Sequence, residues 1–162
     1  MKPFLLASAA LLLAPLANAV DVNVSYSEAF SEKLAEDYGE REGEKLTERL
    51  TSQLERKFED VAGVQTINVV IEDAKPNRPT MKQMSDQIGL SYQSFSLGGA
   101  DLHGEVISMD GSTLAEIDYD WYENDIRWSE GRSTWGDAMR TFQRFSGKLS
   151  KAAKEGSSDL LN

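Results

Sequence analysis

Asp110-Gly111, set between two runs of alternating apolar and polar residues, constrains this chain more than any other feature. Asp-Gly supplies the positive φ angles of a two-residue type I′ turn, whose twist matches that of the strands it joins. With those two residues as the turn, counting outwards sets each cross-strand pair. Val106 faces Ala115, Gly104 faces Ile117, Leu102 faces Tyr119 and Ala100 faces Trp121, which makes one apolar face. The other face pairs Ile107 with Leu114, Glu105 with Glu116, His103 with Asp118 and Asp101 with Asp120. A sheet built on this hairpin is dry on one side and wet on the other, so its helices must pack on the dry side.

The remaining elements follow from periodicity. Val20, Val22, Val24 and Tyr26 alternate with polar residues and read as a half-buried strand. Ser27 or Ser31 can cap a short helix carrying Phe30, Leu34 and Tyr38, which Gly39 closes. Leu46, Leu50, Leu54 and Phe58 recur every fourth residue and predict a helix over 40–58. The β-branched run at 66–72 reads as an inner strand, 73–89 as a long loop and 90–97 as a further strand broken by Gly98-Gly99. Ser133 or Thr134 then caps a final helix on which Trp135, Ala138, Met139, Phe142, Phe145, Leu149 and Ala152 form one stripe, and residues 155–162 read as a flexible tail.

The order strand, helices, strand, strand, hairpin, helix predicts an α+β fold: a two-layer sandwich with a mixed four-to-five-stranded sheet and helices on one face. The helical crossover between the first two strands implies that they pair in parallel with a right-handed connection.

Residues 1–19 have the layout of a signal peptide. Lys2 is the charged n-region, residues 4–16 the apolar h-region, and Ala17-Asn18-Ala19 the small-x-small cleavage pattern. Cleavage after Ala19 leaves a single domain over 20–154 plus the tail. The expected location is periplasmic or secreted, with no membrane span in the mature chain. Losing Lys2 from a chain of net charge −10 leaves −11. Such a chain is repelled by phosphate backbones and anionic lipid, which argues against nucleic acid as a partner. The chain has no Cys, which excludes disulfides, thiol nucleophiles and thiolate-bound metals.

Two surfaces stand out. The wet hairpin face carries Asp101, His103, Glu105, Glu116, Asp118 and Asp120, with like charges directly opposed across the strands. A divalent cation would relieve that repulsion, but a flat face spreads its carboxylates instead of converging six to eight oxygens. His103 beside Asp118 has the makings of an oriented base, yet no serine sits in a recognisable nucleophile frame, and an ion pair accounts for both residues. The second surface is the loop segment 75–82, where Lys75, Arg78 and Lys82 stand without an acid among them and Pro76 and Pro79 restrict the backbone. It reads either as a contact surface or as a route around the sheet edge. The aromatic residues Trp121, Tyr122, Trp128 and Trp135 either pack the last helix against the hairpin or form an exposed carbohydrate- or peptide-binding patch.

Gly98-Gly99-Ala100, the hairpin turning at Asp110-Gly111 and the final amphipathic helix together resemble small α/β domains of uncharacterised Gram-negative periplasmic and outer-membrane lipoproteins. The resemblance covers about the last third of the mature chain and implies an envelope accessory or binding role, although this chain lacks the acylated Cys of those proteins. The expected function is therefore a non-enzymatic exported domain that binds a protein partner, with no cofactor and no metal. The alternatives are a small carboxylate-dependent hydrolase acting on cell-wall glycan or peptide, and a calcium-stabilised module.

Overall fold

The computed structural model describes residues 20–159, so the leader-like segment 1–19 and residues 160–162 lie outside the described residues. Four strands form one mixed sheet in the order β1 (Asp21–Tyr26), β2 (Val64–Lys75), β3 (Gly99–Ser108) and β4 (Thr113–Tyr122). β1 and β2 run parallel, from Asp21 opposite Thr66 to Tyr26 opposite Ile71, while β2–β3 and β3–β4 are antiparallel. The fold is α+β, and among the described residues the sheet has four strands and no fifth.

The crossover from β1 to β2 is helical. Ser27 caps α1 (Glu28–Lys33) by accepting from the N–H of Phe30, and the chain continues as a widened π turn over Leu34–Tyr38. Gly39, at φ +97°, ends that turn and opens α2 (Glu40–Phe58). The expected ladder of Leu46, Leu50, Leu54 and Phe58 forms the buried stripe of α2. It meets Ile67, Val69 and Ile71 of β2, Leu102 and Val106 of β3, and Phe142, Phe145 and Leu149 of α4 (Gly136–Asp159) in one core. Gly104 sits beneath α4. A Cβ there would lie 2.5 Å from Phe145 Cζ, so the missing side chain is what lets that ring rest on the sheet. Among the described residues, no helix is long and apolar enough to cross a membrane.

Five details depart from the sequence reading. β2 extends to Lys75, and the supposed loop beyond it contains a helix, α3 (Met81–Asp86). A capping box holds α3 in place: Thr80 Oγ1 accepts from the Gln83 N–H, and Gln83 Oε1 accepts from the Thr80 N–H. Residues 90–97 form no strand. The segment folds instead on local bonds such as Ser94 N–H to Ser91 O, and on Ser96, whose N–H donates to Asn77 O.

The hairpin turn is shifted by one residue. Gly111 N–H bonds to Ser108 O, which puts Met109 and Asp110 at the centre of the turn, with Gly111 following at φ +86°. The Asp110 carboxylate captures the Ser112 N–H at 2.9 Å and both flanking serine hydroxyls, a set of bonds that a two-residue turn does not offer. The resulting bulge pairs Ile107 with Thr113 and turns Leu114 into the core instead of onto the wet face. The register from Ala100–Trp121 to Val106–Ala115 is as expected.

Finally, the N–H of Asp137 at the start of α4 bonds to Asn77 Oδ1 at 2.8 Å, a tertiary cap in place of the local Ser133 or Thr134. α4 also runs on through the expected tail to Asp159. Ser157 Oγ bonds to Ala153 O, and Gly156 lies against the Leu114 backbone, which docks this last turn.

Candidate functional site

The six polar hairpin residues share the face of the sheet opposite α2 and α4. His103 and Asp118 are paired as the register requires, with His103 Nδ1 2.8 Å from Asp118 Oδ1 and Nε2 3.7 Å from Glu116 Oε1. The hydrogen bond to Asp118 holds the imidazole pKa above its ordinary value against the opposing effect of burial, and the charges of Asp118, Glu116 and Glu72 add to the rise. Asp101 also has a raised pKa, from partial burial and from Asp120 directly across the strand. Glu105 is opposite Glu116 and accepts from Thr113 Oγ1 at 2.9 Å. β2 extends the acidic array with Glu72 and with Asp73, whose carboxylate pairs with Lys33 at 2.9 Å. Among the described residues, no three His, Asp or Glu side chains converge closely enough to hold a metal ion.

The three cations of the 75–82 segment have separate roles. Lys75 Nζ lies 5.6 Å from the centre of the Tyr122 ring, and Lys82 pairs with Asp86 at 2.6 Å on α3. Arg78 is turned inward. Its guanidinium donates to Arg132 O at 2.8 Å, to Tyr92 O at 2.9 Å and to Glu130 O, tying three segments of chain together. Beside it, Asn77 is fully buried and bonds reciprocally with Asp137: Nδ2 donates to Oδ2 at 2.6 Å while Oδ1 accepts from the Asp137 N–H. Arg132 Nε stands 3.2 Å from the other Asp137 oxygen. The proline-bounded segment is therefore a structural knot with cations at its rim.

The aromatic residues divide. Trp135 is buried and anchors the start of α4 to α2, not to the hairpin: its Nε1 donates to Glu42 Oε2 at 2.8 Å, and its ring meets Tyr38 edge-on at 5.5 Å. Trp121 is half-buried beneath Arg144 and Arg140, with 4.3 Å from ring centre to the Arg144 guanidinium. Tyr122 carries Lys75 on its ring, and only Trp128 is largely exposed, at 65 %.

Sequence reasoning missed a groove of about 550 Å³ between α2 and the α3 segment, lined by Trp135, Met81, Met84, Met139, Tyr92 and charged residues of α2 including Glu42. None of the nine expected site residues lines it. The T-x-x-Q box at 80–83 is the signal that would have placed α3 and so hinted at this wall. The carboxylate of Glu42 is engaged there by Trp135 and, at 2.6 Å, by Lys45. No protein-family model, curated protein or solved structure matches the chain.

Proposed function

We propose that this chain is a non-enzymatic binding module of the cell envelope, periplasmic or secreted, whose working surface is the wet face of its sheet. One observation carries the reading: Asp101, His103, Glu105, Glu116, Asp118 and Asp120 lie side by side on an open face, opposite the layer of α2 and α4. A mainly acidic array spread over a flat surface suits contact with a macromolecule better than it suits the enclosure of a small substrate. The leader-like residues 1–19 and the resemblance to envelope lipoprotein domains support the address.

A photo-crosslinking side chain placed at Glu105 in cells, with a second at the exposed Glu55 of α2 as control, tests the surface. Discrete adducts from position 105 and not from position 55 are expected, and equal adducts or none reject it. Recovery from the periplasmic fraction or the medium of a chain beginning at Val20 is the matching test of the address.

A further inference from the structure

β4 is the last strand of the sheet, ten residues long, and among the described residues its outer side has no neighbouring strand. The hydrogen bond from Glu123 N–H to Gly98 O sets the alternation of the β3–β4 ladder. Counting along the register from that bond, Asp101–Asp120, His103–Asp118 and Glu105–Glu116 fall at the closely spaced positions that exchange no backbone bonds. The N–H and C=O groups of Glu116, Asp118 and Asp120 therefore point outward, along the free edge. Their side chains stand on the wet face as an exposed row of three carboxylates. On the opposite face of the same edge, Tyr119 and Trp121 lie under the cations Lys148, Arg140 and Arg144.

A long free edge is a template for another strand, and natural sheets commonly guard such edges with charge. The charge here selects as well as guards. Antiparallel pairing with a second copy about Asp118 would set Asp118 against Asp118 and Glu116 against Asp120, carboxylate on carboxylate at each of these wet-face positions. An extended segment with Lys or Arg at alternate positions meets no such penalty. Its cations fall over the carboxylate row, its intervening side chains fall beside the Tyr119–Trp121 face, and its backbone satisfies the outward groups.

Resting on the binding-module reading, we infer that the partner is a basic, extended peptide segment that adds to β4 as a fifth strand. The probe is a labelled nine-residue peptide with Lys alternating with Thr and Val, followed by fluorescence anisotropy. Binding is expected to weaken at least tenfold between 50 and 300 mM salt, and at least tenfold in the E116K/D118K/D120K variant, whose fold is checked by its melting curve.

Methylating one alternate set of peptide amides is expected to weaken binding at least tenfold, and methylating the other set to leave it within about twofold. The amides of Glu116, Asp118 and Asp120 should gain protection from hydrogen exchange. Three results each overturn the added strand: no binding, equal binding by both methylated peptides, or self-association through β4. If crosslinks from position 105 persist in cells while the peptide fails, the binding module stands and this mode of binding falls.

Discussion

His103 Nδ1 and Asp118 Oδ1 stand 2.8 Å apart across β3 and β4, the one attractive pair between two pairs of opposed carboxylates. Because the folded pKa of His103 is raised above its unfolded value of about 6.5, the protonated form favours folding. That contribution is complete below the unfolded pKa and is lost as pH rises through the folded one. Asp118→Asn should move the His103 titration down toward the ordinary value and flatten the fall in stability over that window. His103 is the only histidine in the chain, so an NMR titration of its ring reads the shift directly. An unchanged midpoint in the variant would mean that the hydrogen bond is not the main cause.

Arg78 gives three backbone carbonyls a charged donor, whereas Lys75 and Lys82 sit at the rim. Arg78→Glu should cost at least about 2 kcal/mol in chemical denaturation, since donors to three carbonyls are lost and a carboxylate faces them instead. Lys75→Glu and Lys82→Glu should each stay within about 0.5 kcal/mol, as surface changes usually do. Equal effects at all three positions would contradict the inward role of Arg78.

Asn77→Ala should destabilise by about 3 kcal/mol, because it leaves the buried Asp137 carboxylate and the Asp137 N–H each without a bond they now have. Asn77→Asp should be worse, setting a second carboxylate against the first. Urea melts of both variants check the order. An Ala variant as stable as the parent would show that solvent replaces Asn77.

Gly104→Ala should cost about 1–3 kcal/mol, the usual penalty for overpacking, since the new Cβ meets the rim of the Phe145 ring. Shortening the ring in a Gly104→Ala/Phe145→Leu double variant should recover part of that loss. A double-mutant cycle measures the coupling, and additive costs would show that the two residues do not share this contact.

Local pattern carried much of this fold. The α2 stripe lies where the four-residue spacing put it, and the β3–β4 register holds from Ala100–Trp121 to Val106–Ala115, because alternation leaves only one way to keep both faces consistent. The misses share a cause of a different kind. Leu114 turned inward because three side-chain bonds to Asp110 outweighed the I′ preference of Asp-Gly. The tail stayed helical because Gly156 allows α4 to lie against Leu114, a contact between residues far apart in sequence.

The candidate site divides along the same line. The acidic row and the His103–Asp118 pair were legible by counting from the turn, since neighbours across a hairpin are set by register alone. That Arg78 faces inward, that Asn77 caps α4, and that Glu42 holds Trp135 were not legible. Each of those bonds joins segments whose approach depends on how the helices settle on the sheet.

By itself the sequence determined β1, α2, the body of β2 and of α4, the hairpin register away from the turn and the polarity of each sheet face, because these depend on period and on near neighbours. Only the tertiary structure decided which cations are structural, where the groove lies, and that β4 is left as a free edge. Those outcomes depend on which buried polar groups find partners and on which strands end the sheet, and both are properties of the packed whole.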